Sequence, residues 1–249
     1  MRLIFACLLT TLCLMAAPVS AGGLGEMTPA ERALFRQEVK AYLIENPEVI
    51  AEAMEALQSR QDQAEFQRDQ QLLIDNAAYL FDDANSWVGG NPDGDITVVE
   101  FMDYRCGYCR KAYEDIEALV KTDGNIKFVL KEFPILGEES VASARFAIAV
   151  LQLHGPDAYK TAHDNLMTLR GSPDAASLTR LATEMGLDPA PVLARMNADE
   201  VTAVLAANRA LADVMSLTGT PAFAINKTLL RGYVPLDGLR AIVADERAK

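Results

Sequence analysis

The sequence predicts an α/β domain that carries a long helical insertion and follows a separate helical segment. Two observations lead to this prediction. A βαβ unit holds the pair Cys106-Gly107-Tyr108-Cys109 at its strand-to-helix junction, and a long block of helical periodicity separates this unit from two short strands and a closing helix. The domain therefore reads strand, helix, strand, helical block, strand, strand, helix.

The amino terminus has the pattern of a cleavable signal peptide. Met1-Arg2 is followed by an apolar stretch from Leu3 to Ala17 and then by the small-residue site Pro18-Val19-Ser20-Ala21. The apolar stretch is shorter than the roughly 20 residues that a membrane-spanning helix needs. We therefore predict that residues 1–21 are a signal peptide, removed after Ala21, and that the mature protein is periplasmic. Cleavage would remove Cys7 and Cys13 and leave only the Cys106–Cys109 pair.

Residues 22–80 are predicted to form a helical oligomerisation segment and a connector. Thr28-Pro29 followed by Glu31 is typical of a helix start, and Asn46-Pro47 predicts a break between two helices. Apolar residues recur at helical spacing on both sides of that break: Leu34, Phe35, Val39, Tyr42 and Leu43 before it, and Val49, Ile50, Ala53, Met54 and Leu57 after it. The polar stretch from Gln58 to Gln71 is interpreted as an exposed helical or flexible connector.

Two amphipathic helices of this size cannot build a core alone. Their apolar face must be buried on the main domain or on another copy of the chain. The long polar connector favours self-association, because a fold-back would more naturally use a short loop. Fold-back remains the alternative.

Residues 81–249 are predicted to form the main domain. After a turn-rich entry at Trp87 to Pro92, Ile96 to Phe101 and Ile126 to Leu130 read as buried strands joined by the cysteine-bearing helix. An insertion at about 138–217 contains helices over Ser140 to Leu153, Asp157 to Leu169, Ala176 to Met185, and Pro189 to Leu217 with a break near Asp199. Short strands at Ala222 to Ile225 and Leu229 to Tyr233 precede a final helix, Leu236 to Ala248.

The position of the cysteine pair indicates redox chemistry. Unpaired N–H groups and the helix dipole at a helix start favour a thiolate, so Cys106 is expected to ionise easily. A zinc half-site is the alternative, but zinc needs two further ligands and the mature chain offers only His154 and His163. We interpret these two histidines as surface or packing residues.

The order of elements, the cysteine pair and Gly219-Thr220-Pro221 before a late strand resemble the thioredoxin fold with a helical insertion, as in the DsbA-like family. The segment from Val99 to Cys109 is similar to the active-site strand and helix start of that family. The segment from Tyr42 to Ile50 resembles the amino-terminal oligomerisation region of the group called suppressor of copper sensitivity protein C, ScsC.

The resemblance implies roles for individual residues. Cys106 would be the attacking nucleophile and Cys109 the buried resolving thiol. Pro221 would be a cis-proline facing the pair, with Thr220 able to pair with a substrate strand. Glu100 would be a buried acid near Cys109 that moves its proton.

Neighbouring charges are expected to assist these groups. Lys131 on the next strand is a candidate charge partner for Glu100, if both side chains point inward. The bases Arg105, Arg110 and Lys111 are expected to favour the thiolate of Cys106.

The direction of the exchange is suggested by Gly107-Tyr108, which is similar to the dipeptide of the disulfide isomerase DsbC. Together with Thr220 and self-associating helices, it favours an oligomeric disulfide isomerase or reductase. A monomeric DsbA-type oxidase is one alternative. A copper-tolerance protein that binds Cu(I) through the reduced dithiol is another.

The expected partners follow from this interpretation. Protein substrates with disulfides or thiols and a membrane reductase of the DsbD or ScsB kind would be required. We expect no cofactor and no metal. The formal net charge of −12 argues against nucleic acid as a partner. A protein that binds nucleic acid neutralises its phosphates with clustered Lys and Arg residues.

Overall fold

The computed structural model describes residues 27–249. Contacts divide the chain into two compact units, the first ending at Gln61 and the second running from Asp62 to Lys249. The predicted signal peptide, residues 1–21, lies outside the described residues. Within residues 27–249, no helix has the length and apolar character needed to cross a membrane.

The first unit contains helix α1 (Pro29–Glu45) and the beginning of helix α2 (Glu48–Asp75). Thr28 and Glu31 form a capping box at the start of α1, as the sequence indicates. At the other end, the main-chain and side-chain N–H groups of Asn46 both donate to the carbonyl oxygen of Tyr42. No residue of α1 is buried, so its apolar residues face outward.

The stretch predicted as a connector is helical, because α2 continues without interruption to Asp75. Its last turns belong to the second unit, where Leu73 joins a buried apolar cluster. Asp69 accepts two hydrogen bonds from the Arg231 guanidinium, at 2.5 and 2.7 Å. The end of α2 is therefore held in place within the second unit by apolar packing and by an ion pair.

The second unit is built on a five-stranded sheet in the order β1-β3-β2-β4-β5. Its strands are β1 (Trp87–Gly90), β2 (Ile96–Met102), β3 (Ile126–Glu132), β4 (Ala222–Ile225) and β5 (Thr228–Arg231). Strands β2 and β3 are parallel and all other pairs are antiparallel. This is the thioredoxin-type arrangement that the sequence predicted, with one additional edge strand.

The helices of the second unit after α2 follow the predicted order. They are α3 (Ala77–Phe81), α4 (Gly107–Asp123), α5 (Glu138–Thr168), α6 (Ala175–Glu184), α7 (Pro189–Arg195), α8 (Asp199–Val214) and α9 (Leu236–Arg247). Gly155, with φ 83°, kinks α5 where the sequence predicted a break between two helices. Helices α7 and α8 correspond to the two parts of the helix that was predicted from Pro189 to Leu217 with a break near Asp199.

Strand β1 was missed by the sequence analysis, which interpreted Trp87 to Pro92 as a turn-rich entry. Its four residues pair with β3, and this pairing, rather than a pattern within so short a segment, fixes its position in the sheet. Gly89 reads as a turn signal but is needed for packing, because a Cβ atom there would lie 2.0 Å from the Trp87 ring. The short helix α3 was missed as well.

The sheet separates two apolar clusters. We call one side the cysteine face: Val98, Met102 and Leu130 lie there in the same cluster as Cys109. The other side, the opposite face, carries Val99, Phe101 and Val129 together with Leu80 of α3 and with Leu211 and Met215 at the end of α8. Side chains alternate along each strand, so neighbouring residues of β2 and β3 enter different clusters.

Candidate active site

Cys106 and Cys109 lie at the start of α4 and are free thiols. Cys106 is the N-cap residue, and its Sγ accepts a hydrogen bond from the Cys109 N–H at 3.4 Å. Cys106 keeps 7 % exposure whereas Cys109 has none. Cys106 is therefore the more accessible of the two sulfurs, and Cys109 is buried, as expected from the sequence.

The environment pushes the pKa values of the two thiols apart. Hydrogen bonding from the Cys109 thiol lowers the pKa of Cys106 to about 5, against the opposing effect of burial and with further help from Thr220 and the first amides of the helix. Burial raises the pKa of Cys109, and its hydrogen bond to Cys106 and the charge of Glu100 raise it further. At neutral pH the outer sulfur is a thiolate and the inner sulfur holds its proton.

The three bases near the pair are engaged elsewhere. Arg105 pairs with Glu139 and donates to the Gly171 carbonyl, and Arg110 donates to the carbonyls of Tyr104 and Leu169. Lys111 lies over the ring of Tyr233. The causes of the low pKa of Cys106 are hydrogen bonds rather than these cations, which corrects the expected role of the bases.

The Thr220–Pro221 peptide bond is cis, as expected from the sequence. The carbonyl oxygen of Thr220 lies 3.2 Å from the Sγ of Cys106, which donates a hydrogen bond to it as a thiol. A cavity of about 250 Å³ runs beside this bond and is lined by Leu217, Thr218, Gly219, Thr220, Pro221, Ala222, Arg231 and Gly232. Cys106 does not line this cavity, and its link to the cis-proline segment is the contact with the Thr220 carbonyl.

Glu100 lies in the middle of β2, paired with Leu130 of β3 and Phe223 of β4. It is 2 % exposed, and its Oε1 has no hydrogen-bond partner. Burial, the charge of Cys106 and the charge of Glu117 raise the pKa of Glu100 to about 8. The charge of Glu100 also raises the pKa of Cys109, so the two groups interact electrostatically.

Lys131 is not the partner of Glu100, so that prediction was wrong. Glu100 pairs with Leu130 in the parallel register, which places Lys131 one residue further along and hence on the opposite face. There its Nζ donates to Asp83 at 2.5 Å and to Ser86 at 3.0 Å. Lys131 is a structural ion-pair residue.

A buried polar cluster beside the cysteines was missed by the sequence analysis. The Oε1 of Glu132 accepts hydrogen bonds from the hydroxyls of Tyr159 at 2.6 Å and Tyr104 at 2.8 Å. The Tyr104 hydroxyl also lies 3.2 Å from Nδ1 of His163. We call these four residues the Glu132 cluster. Its signal in the sequence was the alternation that continues from Leu130 to Glu132, beyond the predicted end of the strand.

Asp103 has a structural role that the sequence did not predict. Its carboxylate accepts hydrogen bonds from the main-chain N–H groups of Arg105, Ile135 and Leu136, at 2.7, 2.8 and 3.0 Å. It therefore ties the loop before Cys106 to the loop after β3.

Both histidines were predicted to be surface or packing residues, and His163 is in addition part of the Glu132 cluster. His154 is exposed, and burial of His163 lowers its pKa to about 3, so the ring is neutral. In the described part of the chain, no group of three or more His, Cys, Asp or Glu side chains is arranged to hold a metal ion.

Comparison with known proteins decides the family. Residues 97–244, more than half of the chain, match the model described as DSBA-like thioredoxin domain. The chain belongs to this family. Residues 31–64 match a second model, the Copper resistance protein ScsC N-terminal domain. The predicted DsbA-like fold and its relation to ScsC are therefore confirmed.

Solved structures agree with this DsbA-like assignment. A thioredoxin-like oxidoreductase from Silicibacter pomeroyi DSS-3 is 41 % identical, with a TM-score of 0.65, and covers 69 % of this chain and 98 % of its own. Proteus mirabilis ScsC in a transitional conformation is 28 % identical, with a TM-score of 0.65, over 90 % and 98 %. BcfH of Salmonella enterica Typhimurium is 28 % identical, with a TM-score of 0.72, over 86 % and 95 %.

Curated relatives include longer proteins. The Na(+)/H(+) antiporter NhaA 1 of Salinispora arenicola is 29 % identical over 157 residues, which are 63 % of this DsbA-like chain. The chain spans about a quarter of the length of the curated relatives it matches, 24 % in this case.

Proposed function

We propose that this chain is a periplasmic thiol–disulfide oxidoreductase that works as an oligomeric disulfide isomerase and reductase through Cys106 and Cys109. The observation that carries the proposal is the separation of the two pKa values. An accessible sulfur with a pKa of about 5 stands three residues from a buried sulfur whose pKa is raised. The first can attack at neutral pH while the second stays protonated in reserve.

The proposed reaction begins with the Cys106 thiolate. It attacks one sulfur of a substrate disulfide, so a Cys106–substrate bond forms, the substrate disulfide breaks and one substrate thiolate leaves. In isomerisation that thiolate attacks another disulfide of the same substrate, and the thiolate freed there attacks the Cys106–substrate bond, which forms a new substrate disulfide and releases Cys106 as a thiolate. In reduction Cys109 loses its proton and attacks Cys106, which releases the second substrate thiolate and leaves a Cys106–Cys109 disulfide.

Thr220, Pro221 and Glu100 are proposed to assist. The Thr220 carbonyl oxygen lies 3.2 Å from the Sγ of Cys106, so an extended substrate segment that pairs with the main chain at Thr220 would come close to Cys106. Glu100 is buried and its charge acts on Cys109, so it is proposed to handle the proton of that thiol. A membrane reductase of the DsbD or ScsB kind would return the pair to the dithiol.

The oligomeric part of the proposal rests on the first unit. Large apolar side chains of α1 and early α2 are exposed, with Leu34 at 63 %, Ile44 at 67 % and Met54 at 67 %. Exposed apolar side chains that recur along a helix often mark a surface that binds another protein chain. Association through these helices would hold several dithiols near one misfolded substrate and raise their effective concentration.

A DsbA-type oxidase is the second candidate, because a strongly stabilised thiolate makes the reduced form favourable and the disulfide oxidising. The pKa of about 5 for Cys106 is the observation that favours it. An oxidase would not require the helices to associate.

One experiment separates these functions. Reactivation of scrambled ribonuclease is measured alongside light scattering for the mature chain, for Ile44→Glu, and for the matched surface variant Arg32→Glu. We expect an oligomer that unscrambles ribonuclease, and a monomer with at least tenfold lower activity for Ile44→Glu. Arg32→Glu is expected to behave as the parent protein.

The outcomes have distinct meanings. A monomeric parent that oxidises reduced peptides but does not unscramble ribonuclease would make the protein an oxidase. Cys106→Ser is expected to abolish insulin reduction, and retained activity in that variant would refute the redox assignment altogether.

A further inference from the structure

Tyr108 presents a large aromatic ring to solvent beside the cysteine pair. It lies between Cys106 and Cys109 in the first turn of α4 and is 64 % exposed. A single exposed aromatic residue is common on protein surfaces. This ring differs because other side chains hold it in a fixed place.

Tyr233 is the residue that holds it. The rings of Tyr108 and Tyr233 are stacked, with centroids 6.2 Å apart and planes inclined by 27°. The Tyr233 hydroxyl donates to Oδ2 of Asp115 at 2.7 Å, and Nζ of Lys111 lies 4.5 Å from the centroid of the same ring. Tyr108, Lys111 and Asp115 recur at helical spacing, so one face of α4 fixes Tyr233. We call Tyr108 and Tyr233 the tyrosine platform.

The platform borders both the nucleophile and the cis-proline segment. Tyr108 stands two residues after Cys106. Tyr233 directly follows Gly232, which lines the same cavity as Thr220. The carbonyl oxygen of Thr220 is in turn 3.2 Å from the Sγ of Cys106. A molecule bonded to Cys106 therefore has the main chain at Thr220 and the tyrosine platform as its neighbours.

The space around the nucleophile is open at two glycines. A Cβ atom at Gly107, between Cys106 and Tyr108, would meet no atom from elsewhere in the described chain within 4 Å. The same holds for Gly219, which precedes Thr220. A polypeptide can therefore approach the sulfur without a clash at either point.

The spacing of an extended substrate fits this arrangement. In a strand, alternate side chains point to the same face, and residues two apart are separated by about 7 Å. The Cα atoms of Cys106 and Tyr108, two residues apart at a helix start, are separated by about 5 Å. When the substrate cysteine bonds to Cys106, the side chain two residues away from that cysteine comes within reach of the tyrosine platform.

The chemistry of the platform favours an aromatic occupant. Aromatic rings attract one another in offset or edge-to-face arrangements, and the exposed ring of Tyr108 leaves room for a third ring. A cationic side chain suits the place less well, because the ammonium group of Lys111 already lies against Tyr233 and would repel it.

We propose that Tyr108 and Tyr233 form a substrate subsite, which binds an aromatic side chain two residues from the reacting cysteine of a polypeptide. This inference rests on the proposed function and names the feature of the substrate that the site selects. Phenylalanine is mostly buried in folded proteins, whereas misfolded chains expose it. The subsite therefore directs the dithiol to cysteines in unfolded segments.

The test compares two disulfide-linked peptide dimers. One carries phenylalanine two residues from the cysteine on both sides, and the other carries serine at these positions. Excess reduced mature protein reacts with each dimer in a single turnover, which is quenched with acid, and the freed peptide thiol is measured by chromatography. Each rate is divided by the rate at which glutathione reduces the same dimer, which removes intrinsic differences between the two disulfides.

Three variants accompany the parent protein. Tyr233→Leu removes the ring that supports Tyr108 and keeps an apolar side chain against the core. Tyr233→Phe keeps the ring and loses only the hydrogen bond to Asp115. Tyr79→Leu is the matched control, because Tyr79 is 69 % exposed and belongs to α3, which packs on the opposite face.

The expected result is a change in preference rather than in overall rate. The parent is expected to reduce the phenylalanine dimer about fivefold faster than the serine dimer, as the strength of an aromatic contact implies. For Tyr233→Leu the preference falls below about twofold, while the rate with the serine dimer stays near that of the parent, because both cysteines are unchanged. Tyr233→Phe and Tyr79→Leu keep the preference of the parent.

Two results would overturn the subsite. One is equal normalised rates of the parent with the two dimers. The other is a Tyr233→Leu protein that slows with both dimers by the same factor, which would mark a purely structural role. If Tyr233→Leu does not fold, Tyr108→Ser replaces it, because Tyr108 is exposed and contributes little to the core. That change shifts both rates together through the dipeptide, so only the preference is compared, and a retained preference overturns the subsite.

Failure of the proposed function gives a different result. A parent protein that reduces neither peptide dimer nor insulin refutes the proposed function, and the subsite falls with it. A parent that reduces insulin and both dimers, the dimers at equal normalised rates, refutes the subsite alone.

Discussion

The two faces of the central sheet bury charge in different ways. On the opposite face, Lys131 has its ammonium group bound by Asp83 and Ser86. On the cysteine face, Glu100 and Glu132 each leave a carboxylate oxygen without a partner. Lys131 and Glu132 are adjacent in sequence, yet Lys131 has an ionic partner whereas Glu132 has only hydroxyl partners on one oxygen and none on the other. A buried charge with its partner stabilises a fold, whereas a buried acid without one is ready to exchange a proton.

The largest expected effect is on the opposite face. Asp83→Asn removes the counter-charge of Lys131 and leaves an unpaired ammonium in a buried site, so the free energy of unfolding is expected to fall by about 3 kcal/mol. Urea denaturation measures this change. Asp213→Asn is the control, because its pair with Arg209 is exposed and is worth well under about 1 kcal/mol. An Asp83→Asn protein as stable as this control would show that the two faces do not differ as described.

On the cysteine face, replacing the buried acid Glu100 by glutamine is expected to raise the free energy of unfolding, whereas Asp83→Asn lowers it. The pKa of Glu100 is raised from 4.5 to about 8, so the folded state holds a proton that the unfolded state has lost between these pH values. The parent protein therefore loses stability as pH rises through this window. Glu100→Gln stays neutral and is expected to be more stable than the parent protein above pH 8 and to match it below pH 4.5.

Glu246 provides the contrasting acid for this measurement. Burial would raise its pKa, but hydrogen bonds from Lys249, Thr228 and Lys227 lower the pKa overall. Its contribution to stability is present at neutral pH and is lost as pH falls. Glu246→Gln should therefore destabilise the protein at neutral pH, and the same sign for both glutamine variants would contradict the assigned environments.

The smallest effect is expected at the Asp69–Arg231 pair. This pair is bidentate, but Arg231 is partly exposed, so Asp69→Asn is expected to cost about 1 kcal/mol. The cost should shrink in high salt, whereas that of Asp83→Asn should not. Thermal unfolding at two ionic strengths checks both statements. Equal salt dependence of the two variants would mean that burial does not protect the Asp83–Lys131 pair from screening more than the Asp69–Arg231 pair.

The sequence predicted the parts of the fold that depend on local patterns. The apolar runs of β2 and β3, the break at Asn46-Pro47 and the kink near Gly155 all have signals within a few residues. Strand β1 has no such signal, because it exists only through its pairing with β3. Short edge strands take their conformation from a neighbour, so sequence alone could not place this one.

For the site, the sequence likewise predicted the residues that have local motifs and missed the contacts that depend on the tertiary structure. The positions of Cys106, Cys109, Thr220 and Pro221 follow from motifs and from resemblance. The partner of Lys131 depends on the register between β2 and β3, because a shift of one residue moves a side chain to the other face of the sheet. The sequence does not define this register. The Glu132 cluster joins β3 with the loop after β2 and with α5, and no spacing in the chain reveals such a meeting.

The only tryptophan in the chain touches this cluster. The ring of Trp87 stacks on Tyr159 with centroids 5.7 Å apart, and its Nε1 donates to the carbonyl oxygen of Pro156. Tyr159 in turn donates to Glu132. The protein therefore contains a built-in optical probe: a change in the ionisation of Glu132 would alter the fluorescence of a single indole, which makes proton movement beside the dithiol visible without any label.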